Sequence, residues 1–258
     1  MFRYALLSLC LASPAFAQSQ DDIVQAGFLS GWQLANGHYM AALDLHLAPD
    51  WKTYWRAPGE AGIPPVFDWA GSTNLKNVQF HWPSPQVIAL NGMKSIGYLN
   101  ELVLPVEVVA QDPTQPVTVA LKMDLGICHD ICMPARLTFA AVLQGSGAKD
   151  SKIRAALADK PKLAQGATCV VAPIADGLHV QAHLALPPLG SEETVVFETD
   201  DRAVWVAEAQ VARSGGVLSA ATDLVPPSGA PFVLDRSAVT VTVLAKGKAV
   251  EFRGCPAP

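Results

Sequence analysis

Charged residues are scarce in this chain, and those present leave a small excess of acid. Lysine, arginine, aspartate and glutamate make up 16% of the 258 residues, and the formal net charge is -5. The sequence has no cluster of lysine and arginine residues that could contact the phosphates of a nucleic acid, so it argues against nucleic-acid binding. The G-x-S-x-G and H-E-x-x-H patterns are also missing, so a hydrolase function has no motif to support it.

Long apolar runs are missing as well. A bilayer-spanning helix needs ~20 apolar residues, and no segment reaches that length, so we expect no stable membrane insertion. Residues 1–17 instead have the three parts of a secretory signal: a positive Arg3, a short apolar run and the cleavage motif Ala15-Phe16-Ala17. We expect cleavage after Ala17, loss of Cys10 with the signal, and an exported protein.

Four cysteines remain after the signal, namely Cys128, Cys132, Cys169 and Cys255. An even number in an oxidising compartment predicts disulfide pairing. If Cys169 pairs with Cys255, loop entropy predicts about 4.6 kcal/mol of stabilisation, whereas the short ring from Cys128 to Cys132 gives about 2 kcal/mol. The long bridge is therefore expected to be structural, because it joins two residues that are far apart in the C-terminal part of the chain. These residues lie near the start and the end of the second of the two domains predicted below.

Spacing alone leaves the role of Cys128 and Cys132 open between a redox-active pair, a structural bridge and a soft-metal site. A protonated His129 is expected to stabilise a neighbouring thiolate, whereas Asp124 and Asp130 are expected to raise the thiol pKa. We treat Cys128 and Cys132 as the candidate catalytic pair, with His129 and Asp130 as candidate tuning residues.

Short segments with alternating or β-branched residues, separated by Gly, Pro, Asn and Asp, fill most of the chain. They predict an all-β fold with two antiparallel β-sandwich domains joined by a short helical linker. The predicted strands cover residues 38–47, 78–82, 102–109, 117–123, 137–143, 178–186, 194–198, 203–211 and 238–244. Helix formers at residues 151–160, ended by Pro161, predict the helix. The expected boundaries are a signal at 1–17, a first domain at 18–147, a linker at 148–165 and a second domain at 166–258.

The first domain resembles the periplasmic amino-terminal domain of DsbD-type thiol:disulfide interchange proteins, in particular the ScsB-like branch. The likeness covers roughly residues 25–145. The matching segments are WKTYWRAPGEAGIPP (51–65), FDW (67–69), HWPSP (81–85), KSIGY (94–98), LPV (104–106) and Cys128 through Pro134. The cysteines are separated here by three residues, whereas the best-known members have five.

The resemblance implies an immunoglobulin-like sandwich whose cysteine pair alternates between dithiol and disulfide, without a cofactor. It implies an electron donor that is a membrane-embedded thiol reductase or a thioredoxin-like protein, and periplasmic acceptors that are isomerases or thioredoxin-fold proteins. Cys132 is then expected to form the intermolecular disulfide and Cys128 to resolve it. A cap loop shields the pair in the family, and residues Leu90, Asn91, Gly92 and Met93 occupy the corresponding place. The chain is expected to depend on a separate protein for reducing equivalents.

Two rival functions remain. Cys128, His129, Cys132 and Met133 are soft or borderline ligands, so a periplasmic copper-binding or copper-tolerance protein is one alternative, with Met93 as a further ligand. The other is a non-catalytic sandwich that docks partners, in which Cys128 and Cys132 only lock a turn. An active redox pair makes the protein a protein-disulfide oxidoreductase.

Overall fold

The computed structural model describes residues 19–90 and 92–258, and almost all of them belong to short strands and the turns between them. The predicted signal peptide at residues 1–17 lies outside the described residues. The first half of the chain contains α1 (Gln20–Ile23), β1 (Val24–Gln33), β2 (Tyr39–Leu47), β3 (Lys52–Tyr54), β4 (Val66–Asp68), β5 (Leu75–Phe80), β6 (Gln86–Leu90), β7 (Met93–Leu99), β8 (Glu101–Ala110), β9 (Val117–Cys128) and β10 (Cys132–Leu143). The second half contains α2 (Ser151–Ala158), β11 (Lys162–Ala164), β12 (Ala167–Ile174), β13 (Gly177–Ala185), β14 (Thr194–Glu198), β15 (Trp205–Val206), β16 (Gln210–Ser214), β17 (Val217–Val225), β18 (Thr240–Ala245) and β19 (Lys248–Arg253).

Two antiparallel sheets form the first sandwich. The first sheet has the order β1-β2-β8-β5, and the second has the order β10-β9-β3-β7-β6 with β4 paired to β9. Successive side chains of a strand point to opposite faces, so Leu43 and Leu45 of β2 and Leu125 and Ile127 of β9 all enter one core between the sheets. The second sheet therefore has its odd-numbered β9 side chains inside and its even-numbered ones on the outer face.

Helix α2 packs on the outer face of the first sheet. Asp150 caps it, because its side chain accepts hydrogen bonds from the backbone N–H groups of Lys152 and Ile153. Ile153 is fully buried against Met40 and Ala42 of β2. This cover explains why β2 is buried on both faces, and the helix thereby stabilises the first sandwich as well as connecting it to the second.

Two further sheets form the second sandwich. Their orders are β11-β19-β18-β14 and β12-β13-β17-β15, with β16 paired to β17. Alternate residues of β13, namely Leu178, Val180, Ala182 and Leu184, fill its core. All pairings are antiparallel except that of β11 with β19. The predicted all-β fold with two sandwiches and a short helical connection is confirmed.

Some details differ from the sequence-based expectation. The segment predicted as one strand at 203–211 is divided between β15 and the start of β16. Strand β11 lies inside the predicted linker and pairs with β19, while the predicted domain boundaries stay predictions. Within the described ranges no helix has both the length and the apolar character needed to cross a membrane.

Candidate functional site

The hairpin of β9 and β10 brings Cys128 and Cys132 together. The two residues are the last pair of the antiparallel register, and their Cα atoms are 4.1 Å apart. The turn of His129, Asp130 and Ile131 is closed by a hydrogen bond from the His129 backbone N–H to the Ile131 carbonyl at 3.0 Å. Side chains of directly opposed residues on a hairpin lie within bonding reach, so a spacing of three residues suffices for a bridge. Cys128 and Cys132 are disulfide-bonded in the structure.

The two cysteines differ in exposure. Cys128 lies on the outer face of the second sheet, because its neighbour Ile127 enters the core. Cys128 is nevertheless fully buried at 0% exposure, whereas Cys132 is exposed to solvent. Residue 132 is therefore accessible from the solvent, and residue 128 is not.

Tyr54 of β3 contacts both sulfurs. Its hydroxyl lies 3.0 Å from Cys128 Sγ and 3.5 Å from Cys132 Sγ. The ring is 2% exposed, and burial raises the pKa of the phenol, so the hydroxyl keeps its proton at neutral pH. Gly126 makes this packing possible: a Cβ there would come within 3.1 Å of Tyr54 Cε2 and 3.0 Å of Ile63 Cβ.

Lys52 is the residue directly opposite Cys128 in the pairing of β3 with β9. The lysine is 7% exposed, and its Nζ donates to Ser95 Oγ at 3.1 Å. The same ammonium lies 5.8 Å from the centroid of the Tyr54 ring. Burial lowers the pKa of the Lys52 ammonium. A partly desolvated cation thus lies on the same sheet row as the buried cysteine.

The predicted tuning residues lie on the exposed turn. His129 Nδ1 is 3.1 Å from Asp130 Oδ2, with side-chain exposures of 41% and 85%. The His129 ring packs 5.9 Å from the ring of Trp51, centroid to centroid. Both residues flank the cysteines, and their tuning role stays a prediction.

The predicted cap loop forms the turn of the β6–β7 hairpin. Leu90 ends β6, Asn91 lies outside the described residues, Gly92 has a φ of 81°, and Met93 is 60% exposed at the start of β7. Leu99 is the β7 residue on the row of Lys52. Met93 lies six positions before it, about 20 Å along β7. The structure therefore does not bring Met93 next to the cysteines along the strand, and the capping role stays a prediction.

The second disulfide lies in the second sandwich. Cys169 of β12 is bonded to Cys255, which follows β19, so the bridge joins one sheet to the other. Both residues are buried, at 1% and 0% exposure. The Arg236 guanidinium donates to the Cys169 carbonyl at 2.7 Å, and the Cys255 backbone N–H donates to the Arg236 carbonyl at 2.8 Å. This bridge has no exposed cysteine residue and is surrounded by satisfied hydrogen bonds.

The soft-ligand set proposed for copper is divided in the structure. The two cysteines are bonded to each other, His129 faces Asp130, and Met133 packs against the first core. Within the described residues, the group with three possible ligand atoms close together is Asp44, His46 and Glu101. The Lys152 ammonium already donates to Asp44 Oδ2 at 2.8 Å there.

Sequence reasoning missed Tyr54 and Lys52. Both residues lie in the matching segment 51–65, but no strand was predicted there, and residues Lys52–Tyr54 form β3. The available signal was the i, i+2 spacing of the two residues, which puts both on one face of a strand. A strand of three residues is too short to establish that periodicity from the sequence alone.

Comparison with known proteins agrees with this geometry. The family model of the N-terminal domain of the thiol:disulfide interchange protein DsbD matches residues 20–144. Among solved structures, the N-terminal periplasmic domain of ScsB from Proteus mirabilis is similar, with a TM-score of 0.67 and 20% sequence identity over 93% of this chain and 96% of that chain. At that identity the likeness concerns the fold, and it spans both sandwiches. No curated protein matches the chain. Residues 20–144 are therefore a domain of the DsbD N-terminal type.

Proposed function

We propose that this chain is an exported thiol:disulfide interchange protein that relays electrons through Cys128 and Cys132. The observation that carries the proposal is the asymmetry of the pair: Cys132 is exposed, Cys128 is fully buried, and one tyrosine hydroxyl reaches both sulfurs. An exchange protein needs one sulfur that a partner can reach and a second that only its neighbour can reach.

The exchange consists of two displacement steps. In the reduced protein the Cys132 thiolate attacks one sulfur of a partner disulfide, forming a mixed disulfide and releasing the other partner sulfur as a thiolate. The Cys128 thiolate then attacks Cys132 Sγ, which closes the Cys128–Cys132 bond and releases the second partner thiolate. Two electrons pass from the pair to the partner, and the two partner thiolates take up the two protons lost by the cysteines.

Tyr54 supports both steps, because its protonated hydroxyl donates to sulfur. A hydrogen bond to a charged acceptor is worth about 1.5–3 kcal/mol, so the donor favours a thiolate over a thiol. The Lys52 ammonium acts in the same direction through its charge. The exposed contact between His129 and Asp130 adds polar groups beside Cys132, and we retain these residues as modulators.

The proposed partners are those that the resemblance to the DsbD N-terminal family implies. The acceptor is a thioredoxin-fold or isomerase disulfide protein in the periplasm, and the donor is a thioredoxin-like protein or a membrane-embedded thiol reductase that re-reduces Cys128–Cys132. The family match over residues 20–144 supports this assignment. The signal-like residues 1–17 support a periplasmic location.

The test uses single-cysteine exchange. A thioredoxin-fold protein with one cysteine, activated as a mixed disulfide with thionitrobenzoate, is mixed with reduced Cys128→Ser or Cys132→Ser protein. We expect Cys128→Ser to release the yellow thiol and form a stable covalent complex through Cys132, at least ten times faster than Cys132→Ser, because residue 128 is buried. Equal rates for the two variants, or no complex with Cys128→Ser, would refute the proposal.

A further inference from the structure

One segment of the first sandwich touches both the cysteine site and the second sandwich. This segment, residues 55–65, connects β3 to β4 and is called the linking segment below. It begins directly after Tyr54, and its Ile63 packs over Gly126, beside the Tyr54 ring. Its backbone is also held to β7, because the Ile96 N–H donates to the Pro58 carbonyl at 2.9 Å. The linking segment therefore adjoins Tyr54 both along the chain and through Ile63 at Gly126.

Arg56 fixes the start of the linking segment to the second sandwich. Its Nε and Nη2 donate to the two carboxylate oxygens of Glu198 at 2.8 and 2.9 Å, and Nη2 also donates to Glu251 at 2.7 Å. The side chains of Arg56, Glu198 and Glu251 are only 18%, 19% and 6% exposed. The guanidinium also lies 4.3 Å from the Trp55 ring centroid. A planar, bidentate pair of this kind fixes direction as well as distance.

Two further contacts hold the same region. The Glu208 backbone N–H donates to Glu60 Oε1 at 3.3 Å, and Lys94 of β7 lies 3.2 Å from Glu208 Oε1. In addition, Val196 of β14 and Leu244 of β18 belong to the core cluster of the first sandwich. The second sandwich thus contacts the linking segment at Arg56 and again at Glu60, where the segment turns and the Gly62 N–H donates to the Gly59 carbonyl.

We propose that the second sandwich sets the reactivity of the Cys128–Cys132 pair by holding the linking segment, with Arg56 as the positioning residue. This inference rests on the proposed function. When a reductant attacks the sulfur of the exposed residue Cys132, the Cys128 sulfur leaves as a thiolate, and the Tyr54 hydroxyl stabilises it. Releasing Arg56 lets the linking segment and Tyr54 move, so the leaving thiolate loses a well-placed donor.

The test compares two arginine variants of the full chain. Arg56→Met is expected to slow reduction of Cys128–Cys132 by dithiothreitol three- to tenfold and to shift the glutathione equilibrium toward the disulfide by a similar factor. The matched control is Arg213→Met, because Arg213 makes an equally buried bidentate pair with Glu193 inside the second sandwich. We expect the control to lose stability without changing either redox value.

Two further variants distinguish loss of the Arg56 contact from misfolding of the Arg56→Met protein. The double variant Glu198→Gln with Glu251→Gln weakens the same contact from the other side and is expected to reproduce the effect of Arg56→Met. Arg56→Lys is expected to give redox values between those of the wild type and those of Arg56→Met, because an ammonium keeps the charge but cannot make the bidentate contact. Redox values that stay at the wild-type level in Arg56→Met and the double variant overturn the inference. If instead the wild-type Cys128–Cys132 bond resists glutathione, the proposed function itself fails, so the two failures are distinguishable.

Discussion

The two disulfides of this chain differ in exposure and in the elements they join, and the difference indicates which cysteine pair is suited to exchange. Cys169–Cys255 joins two sheets, buries both residues and is enclosed by backbone hydrogen bonds. Cys128–Cys132 closes the end of one hairpin, exposes one of its residues and has a tyrosine hydroxyl beside both sulfurs. Burial and long-range connectivity suit a staple, whereas partial exposure and a proton-bearing neighbour suit chemistry.

The largest expected difference between the two bridges is in stability. Replacing Cys169 and Cys255 with alanine should lower the free energy of unfolding by about 4.6 kcal/mol, because the bridge closes a long loop in the unfolded chain. The same change at Cys128 and Cys132 should cost about 2 kcal/mol. Urea unfolding followed by tryptophan fluorescence measures both values. An equal or larger loss at Cys128 and Cys132 would contradict the assignment of roles.

The next difference concerns the thiol pKa values of the reduced site. Tyr54→Phe removes the hydroxyl donor and should raise the lower thiol pKa by about 1–2 units, since a hydrogen bond to a charged group is worth about 1.5–3 kcal/mol and one unit is 1.36 kcal/mol. Ultraviolet absorbance of the thiolate during a pH titration measures the change.

The control for this variant is Tyr98→Phe. Tyr98 is another buried tyrosine of the second sheet, and its hydroxyl donates to the Pro83 carbonyl at 2.8 Å, not to a sulfur. The Tyr98→Phe variant should be less stable than the wild type, and its thiol pKa values should be unchanged. A similar rise in both variants would show that the Tyr54 effect is only structural.

The smallest effect is a dependence of stability on acid at the contact between the sandwiches. Burial raises the pKa of Glu251, but hydrogen bonds and charge from Arg56 and Arg253 outweigh it and leave that pKa below 4.5. The folded state therefore binds this proton less readily than the unfolded state. The stabilisation is present above about pH 4.5 and is lost as the pH falls through the folded-state pKa. In Glu251→Gln, the free energy of unfolding that is lost on acidification from pH 5 to pH 3 should be smaller by on the order of 1 kcal/mol. An unchanged slope in thermal unfolding between pH 3 and 5 would exclude Glu251 as its source.

The sequence predicted the features that have local patterns. The strand predicted at residues 38–47 corresponds to β2, and the one predicted at 194–198 coincides with β14, because both segments are rich in apolar residues that form strands. The spacing of Cys128 and Cys132 indicated a close pair, and the structure places them opposite each other on a hairpin.

The features that escaped prediction depend on residues far apart in the chain. Arg56 meets Glu198 and Glu251 across separations of 142 and 195 residues, and no local pattern indicates such a contact. Tyr54 reaches Cys128 across 74 residues, on a strand too short to have a visible period. Which sulfur is exposed also depends on the packing of β3, and not on the C-x3-C spacing.

The most direct test of this account is a redox titration that follows both bridges separately. The oxidised protein is equilibrated with glutathione and dithiothreitol buffers of graded potential, alkylated, and analysed by peptide mass spectrometry. We predict that Cys128–Cys132 opens within the range of known exchange proteins, about -120 to -270 mV, while Cys169–Cys255 stays closed down to about -300 mV. If both bridges open together below about -300 mV, Cys128–Cys132 is a structural crosslink and the proposed exchange function is wrong.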